Sequence, residues 1–145
     1  MAKLMGIDFG DVRTGVAMSD PTGLIASGAG CIKCTNLRHT AEQVAALAQE
    51  KGAEVLVVGH PINMNGTLGP RSERVQAFAG ILRELTELPV ILHDERLSTA
   101  QAHQMLNLTG STGKKRRTVI DEMSACLILQ NYMDMERNRR RAEEE

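Results

Sequence analysis

The chain has 145 residues, which is enough for one domain with its own core and too few for two. Hydrophobic residues make up 42% and charged residues 24%, as in soluble globular proteins, and no apolar run approaches the roughly 20 residues that span a bilayer. The net charge of −1 does not by itself indicate nucleic-acid binding, although basic residues cluster at positions 114–117 and 137–141.

The first third of the chain predicts three short strands in an antiparallel meander. Their patterns cover Lys3–Asp8, Thr14–Ser19 and Ala26–Cys34, with turn signals between them. The third strand contains Cys31 and Cys34, a lone CxxC pair that we interpret as two reduced thiols rather than as a zinc site. Reduced thiols and the absence of a signal peptide predict a cytoplasmic protein with no membrane partner.

The middle of the chain alternates helices and strands. We predict a helix from about residue 36 to Lys51, a strand at Glu54–Gly59, a helix at about Ser72–Thr86 and a strand at Pro89–His93. Asn36 or Thr35 can cap the first helix, and Gly52 ends it. After Glu54, the strand at Glu54–Gly59 is a continuous apolar run, as expected for a strand that is covered on both faces.

The last third predicts two helices separated by a basic loop. Ser98 opens one helix to about Leu108, a polar loop spans Thr109–Arg117, and the final helix runs from about Val119 into the Arg-rich tail. Residues 1–136 would form one domain, and residues 137–145 a charged, solvated tail. The order predicts an α/β fold with a five-stranded mixed sheet, whose first three strands are antiparallel, flanked by helices on both faces.

Three acidic residues fall where an α/β sheet places its functional crevice, outside the carboxyl ends of its strands. Asp8 closes the first strand, Glu95 follows the strand at Pro89–His93, and Asp121 opens the last helix. Carboxylates suit Mg²⁺ or Mn²⁺, and two such ions can activate water and stabilise a leaving oxygen on phosphorus. Each acid also has a simpler interpretation, as a turn cap or as a favourable charge at a helix N-terminus.

Polar residues around this edge are candidates for binding substrate phosphates. They are Arg13, Asn63, Asn65, Arg71, Arg96, Lys114, Lys115, Arg116 and Arg117. The loop glycines 66 and 69 and the helix N-terminus after Pro70 offer backbone N–H groups for the same purpose. For the loop residues we favour a turn-forming role. The basic run at residues 114–117 directly precedes Asp121, and we weigh a solvated helix or loop face and a contact with nucleic acid equally for it.

Four motifs carry a resemblance to a known family. They are GIDFG with RTGVA (residues 6–10 and 13–17), GHPINMNG (59–66), DERLST (94–99) and IDEMSA (120–125). In this order and spacing they resemble the YqgF family, whose members are described as Holliday-junction resolvases and as pre-16S rRNA nucleases. The resemblance implies an RNase H-like fold, a catalytic and metal-binding triad of Asp8, Glu95 and Asp121, and maturation of the 5′ end of small-subunit rRNA by divalent-metal phosphodiester hydrolysis.

The chain departs from the family pattern at two positions. His60 stands where an aliphatic residue is expected, and we interpret it as a partly exposed loop residue rather than as a proton-transfer group. Ser124 replaces a small alanine of the last helix and is small enough to keep that helix close to the sheet.

The resemblance leaves several alternatives open. The hairpin at Asp8 also resembles the phosphate motif of actin-like ATPases and sugar kinases, and a catalytically silent RNA-binding or scaffold protein could share the fold. Among nucleases, structured RNA such as pre-rRNA, in association with a ribosomal precursor, is favoured over junction DNA on resemblance alone. The oligomeric state is undecided, since cleavage of a four-way junction would need two active sites.

Overall fold

The structure of the chain, a computed structural model, describes residues 2–63, 65–94 and 113–144, with the side chains of all of these except 113–119 and 144. The elements are β1 (Leu4–Asp8), β2 (Arg13–Ser19), β3 (Ala26–Lys33), α1 (Leu37–Lys51), β4 (Val55–His60), α2 (Pro70–Leu85), β5 (Val90–Asp94) and α3 (Gly113–Glu144). The predicted helix from Ser98 to Leu108 lies outside the described residues. No helix within the described ranges has the length and apolar character needed to cross a membrane.

The five strands form one mixed sheet in the order β3-β2-β1-β4-β5. The central strand β1 pairs antiparallel with β2 and parallel with β4, while β2–β3 is antiparallel and β4–β5 is parallel. This confirms the predicted mixed sheet with an antiparallel beginning. The carboxyl ends of the three parallel strands β1, β4 and β5 therefore meet at one edge of the sheet.

Local signals set the ends of the first two helices. The Asn36 side chain accepts a hydrogen bond from the backbone N–H of His39 at 2.8 Å, and Gly52 ends α1 in the left-handed region, with φ of 72°. Helix α2 begins at Pro70, two residues earlier than predicted, because proline suits the first helical turn, where its missing N–H needs no partner.

The start predicted for the last helix was wrong. Residues 113–117, which we predicted to end a basic loop, form the first turns of α3, because lysine and arginine are good helix formers. Helix α3 also continues through the predicted tail to Glu144. Arg139 there pairs with Glu136 and Glu143, three and four residues away, so opposite charges stabilise this exposed end.

The two faces of the sheet carry different cores. Helices α1 and α2 cover one face, where the buried residues are Met5, Ile7, Val16, Leu56, Val58 and Val90 of the strands and Phe9, directly after β1. Helix α3 covers the other face, where Ala17 and Val57 pack against Ala125, Ile128, Leu129 and Met133. Because side chains alternate along a strand, Gly6 and Asp8 of β1 lie on the α3 face.

Candidate active site

Three glycines allow α3 to approach the backbone of the sheet. A Cβ atom at Gly15 would lie 1.9 Å from the carbonyl oxygen of Asp121, and one at Gly6 would lie 2.7 Å from Cβ of Leu129. At Gly28 the added atom would lie 2.8 Å from a carboxylate oxygen of Glu122. A larger residue at Gly15 or Gly6 would push α3 outward, so these two glycines set the height of Asp121 above the sheet, whereas at Gly28 the flexible Glu122 side chain could move aside.

Asp8 and Asp121 lie on the same face, at the same edge of the sheet. Asp8 ends β1 and is the register partner of Gly15, whose backbone packs directly against that of α3 at Asp121. Partner Cα atoms of antiparallel strands are about 4.5–5.5 Å apart. Asp8 and the backbone of Asp121 thus both adjoin Gly15, while the carboxylate of Asp121 contacts Arg13 of β2 and Cys31 of β3.

The carboxylate of Asp121 is held by an arginine from β2. Nε of Arg13 donates a hydrogen bond to Oδ2 of Asp121 at 2.7 Å, and the two side chains are 31% and 19% exposed. The sequence predicted Asp121 as a metal ligand and Arg13 as a phosphate contact, but it gave no reason to expect an ion pair between them. This partly buried ion pair links the start of β2 to α3.

Cys31 is a neighbour of this carboxylate that sequence reasoning missed. Its Sγ lies 3.8 Å from Oδ2 of Asp121, and burial together with the nearby carboxylate raises the pKa of the thiol to about 11. Cys34 instead contacts Oγ1 of Thr14, at 3.0 Å, on the opposite face. The two thiols therefore do not converge as zinc ligands would, because residues three apart in a strand point to opposite sides.

The end of β5 places Asp94 on the face of the sheet opposite Asp8. His93 packs edge-on against Tyr132 of α3, with ring centroids 5.8 Å apart, and burial lowers the pKa of its imidazole. Alternation then puts Asp94 on the α1/α2 face, away from Asp8. Glu95 and Arg96 lie outside the described residues. Within residues 2–63, 65–94 and 113–144, no cluster of three or more metal-ligating side chains occurs.

The loop between β4 and α2 uses its polar side chains internally. Oδ1 of Asn65 accepts hydrogen bonds from the N–H and the hydroxyl of Thr67, at 3.1 and 2.6 Å, and Nδ2 of Asn63 donates to the same hydroxyl at 3.0 Å. Gly66 has φ of 87°. These contacts stabilise a tight turn, so a role for Asn63 or Asn65 in substrate binding stays a prediction.

His60 is the last residue of β4 and not a loop residue as we predicted. Its Nε2 lies 2.6 Å from Oγ of Ser72, a fully buried hydroxyl that also accepts a hydrogen bond from Gln76. The contact with α2 puts His60 on the face opposite Asp8. The imidazole therefore links α2 to the sheet and does not face the edge that carries Asp8 and Asp121.

Of the remaining basic candidates, the structure describes Arg71 and the backbone of residues 114–117. Arg71 is exposed at the start of α2 and lines a shallow depression with Gly10 and Asp11, while the neighbouring Arg74 pairs with Asp11 at 2.6 Å. Residues 114–117 occupy the first turns of α3, one to two turns before Asp121. The backbone thus carries the basic run to the same end of the molecule as the acids.

The mixed five-stranded sheet, with two acids at one edge and α3 packed on one face, is that of an RNase H-like fold. Solved structures support this class at the level of fold. The RuvC protein of T. thermophilus, in complex with a Holliday junction substrate, aligns with a TM-score of 0.58 at 14% identity over 95% of this chain and 97% of that one. The Holliday junction resolvase of fowlpox virus aligns with a TM-score of 0.54 at 15% identity over 92% and 99%.

Sequence comparison then gives the family. A family model described as "RuvX: Holliday junction resolvase" matches residues 2–135, and the chain belongs to this family. A relative from Geobacillus kaustophilus, named "Putative pre-16S rRNA nuclease", is 47% identical over 93% of this chain and 99% of its own length. One from Ruminiclostridium cellulolyticum with the same name is 42% identical over 91% and 94%. These findings confirm the resemblance to the YqgF family and place the chain among nucleases.

Proposed function

We propose that the chain is a metal-dependent endonuclease that processes the 5′ end of pre-16S rRNA in the cytoplasm. The observation that carries the proposal is the placement of Asp8 and Asp121 on one face, at the edge where the parallel strands end. Family membership supports the nuclease class, and the names of the relatives favour pre-16S rRNA as substrate. Junction DNA is the alternative substrate, since a structural neighbour is bound to a Holliday junction.

The chemistry of the two acids fits a divalent cation. Carboxylate oxygens are hard ligands, and Mg²⁺ or Mn²⁺ is held by a few acids together with water and substrate phosphate. Asp8 and Asp121 would hold the metal with Glu95, and one or two bound ions would supply an activated water and stabilise the leaving oxygen. Glu95 follows Asp94 directly in the sequence, and Asp94 lies on the other face, which supports the choice of Glu95.

The other residues of the edge would bind and orient the nucleic acid. Arg13 and Arg71 carry guanidinium groups that suit phosphate oxygens, and the basic run of α3 would contact the backbone of the substrate. We assign Arg96, Asn63 and Asn65 to the same function on their sequence positions. None of these contacts depends on base identity, so the proposed site recognises the shape and charge of the substrate.

Substitution of each described acid by its amide tests the proposal. Asp8→Asn and Asp121→Asn should each lower cleavage by roughly 100-fold or more, because even changes to residues behind metal ligands cost about 10- to 100-fold. Asp134→Asn is the matched control, since Asp134 is also on α3 and also pairs with an arginine, Arg137, but lies far from the edge. Equal activity in wild type and Asp8→Asn would contradict the proposal and indicate a contaminating nuclease.

The assay should present the alternative substrates together. Purified protein with Mg²⁺ or Mn²⁺ is mixed with a pre-16S leader RNA, an unstructured single-stranded RNA and a four-way DNA junction. We expect cleavage of the leader at a defined position and little cleavage of the other two. Preferential cleavage of the junction would replace the rRNA role with that of a resolvase.

The basic run provides a second test, of binding rather than of chemistry. The double variant Lys114→Ala/Lys115→Ala should weaken binding of all RNA sequences alike and reduce the salt dependence of the binding constant by about one unit of slope per lost phosphate contact. Fluorescence anisotropy at several salt concentrations measures this slope. An unchanged slope would refute the contact.

A further inference from the structure

Arg13 and a metal ion would compete for the same carboxylate. Oδ2 of Asp121 accepts the hydrogen bond from Nε of Arg13 at 2.7 Å, and both side chains retain access to solvent. The guanidinium stays charged at any pH that the protein meets. If Asp121 ligates a divalent cation, two positive groups must share one carboxylate, and each weakens the binding of the other.

The position of Arg13 keeps it beside the site after such an exchange. It is the first residue of β2, two residues before Gly15, and alternation puts its side chain on the α3 face with Asp8. A guanidinium that left Asp121 would therefore remain at the edge where the substrate phosphate must lie. Its planar set of N–H donors matches phosphate oxygens as well as it matches a carboxylate.

We propose that Arg13 is an exchangeable counter-ion: it neutralises Asp121 in the metal-free protein, leaves it when the metal binds, and then binds the scissile phosphate. This inference rests on the proposed metal-dependent nuclease function and adds to it an order of events. Arg13 then affects metal binding only indirectly, through Asp121, and contacts the substrate directly. The competing interpretation is a fixed tether between β2 and α3, with no change of partner.

The exchange predicts opposite effects of one substitution on metal binding and on cleavage. Arg13→Gln removes the charge but keeps a donor near Asp121, so the affinity for Mn²⁺ should rise roughly two- to fivefold, as expected for a partly exposed ion pair. Cleavage at saturating Mn²⁺ should fall roughly 10- to 100-fold, because a charged hydrogen bond to phosphate is lost. A fixed tether predicts unchanged or weaker metal binding.

Calorimetry of the full chain with MnCl₂ alone measures the first effect without any substrate. Arg13→Lys keeps the charge and should show no gain in affinity, so the comparison of Gln with Lys separates charge from side-chain shape. Arg139→Ala is the matched control, since it removes an arginine from an ion pair on the distal part of α3. In the wild type, the Nε–H resonance of Arg13 should shift when Mg²⁺ is added before any nucleic acid.

The outcomes separate the exchange from the function on which it rests. Mn²⁺ binding and cleavage by the wild type, with unchanged or weaker affinity in Arg13→Gln, would overturn the exchange and leave the proposed function intact. An Nε–H resonance that does not move at saturating Mg²⁺ would also overturn it. If the wild type binds neither ion, the proposed function and the exchange are both wrong.

Discussion

The two faces of the sheet are built on different principles. The α1/α2 face is packed with large side chains, including a stacked pair of Phe9 and Phe78 with ring centroids 4.5 Å apart. On the α3 face, Gly6 and Gly15 replace side chains with direct contact between helix and strand backbone, and Gly28 makes room for the side chain of Glu122. The α1/α2 face therefore contributes most of the buried apolar volume, whereas the α3 face allows the helix to pack unusually close to the strands.

The difference shows how a small domain can separate stability from function. Glycine in a strand weakens folding, because it loses more backbone freedom and buries no side chain. Three such residues facing one helix make sense if the helix must come close to the sheet, and Asp121 is the acidic residue that this approach brings next to the strand end at Asp8. The conventional core on the other face offsets the loss.

The largest expected effect on stability comes from the α1/α2 face. Leu82→Ala removes a fully buried side chain and should lower the free energy of unfolding by about 2–5 kcal/mol, because the packed core cannot close the cavity completely. Urea denaturation measures the change. The folded variant should keep the Mn²⁺ affinity of the wild type, and a parallel loss of metal binding would show that the two faces are not independent.

Gly15→Ala should have the converse effect, a modest loss of stability with a large loss of cleavage. Its Cβ would meet the carbonyl of Asp121 at 1.9 Å, so α3 must shift, at a cost of about 1–3 kcal/mol. Because this shift displaces Asp121, metal-dependent cleavage should be abolished even where the variant remains folded. Measuring unfolding and cleavage on the same preparation checks both effects.

Gly80→Ala is the matched control for that substitution. Gly80 lies in the interior of α2, is exposed and has open space where a Cβ would be added. The same chemical change there should stabilise the protein by about 0.5–1 kcal/mol, because alanine is the better helix former. A variant at position 15 that was as stable and as active as this control would disprove the close-contact role of the α3 face.

The sequence predicted the α1/α2 face better than the α3 face. Strand patterns, the Asn36 cap and the Gly52 stop are local signals, and each was found close to its predicted place. The same local signals failed for α3, because a basic run without apolar periodicity indicates a loop, although its residues favour a helix. Its start at Gly113 was therefore missed.

Long-range pairs in the candidate site were beyond prediction for a different reason. The motifs nominated Asp8, Asp121 and Arg13, but Arg13 and Asp121 are 108 positions apart, and nothing local connects them. The contact of Cys31 with Asp121 and that of His60 with Ser72 likewise follow from which face of the sheet each residue occupies. That assignment depends on strand register, which a single sequence does not fix.

The helix cap on the stabilising face gives a smaller effect. Asn36→Ala removes the side-chain oxygen that accepts the N–H of His39 and should cost about 1 kcal/mol. Asn36→Asp should restore most of this, because a carboxylate caps equally well and suits a helix N-terminus. Since α1 lies on the face away from Asp121, cleavage should not change in either variant, and a loss of activity would contradict the separation of the faces.

The smallest effect concerns the turn that joins β2 to β3, the hairpin that carries Gly15 and Gly28. The carboxylate of Asp20 accepts hydrogen bonds from the hydroxyl of Thr22 and from the backbone N–H groups of Leu24 and Ile25, at 2.8 and 3.0 Å for the latter two. These hydrogen bonds, that of Thr22 foremost, lower the pKa of Asp20 from 3.8 to about 2.

A lowered pKa means that the folded state favours the ionised carboxylate. Its contribution to stability is then complete above the unfolded value of 3.8 and is lost as the pH falls toward about 2. The difference in free energy of unfolding between wild type and Asp20→Asn should be constant from pH 7 to pH 5 and shrink between pH 4 and pH 2. Other carboxylates titrate in both proteins and cancel in this difference, so a gap that stayed constant down to pH 2 would show that the charge of Asp20 does not stabilise the turn between β2 and β3.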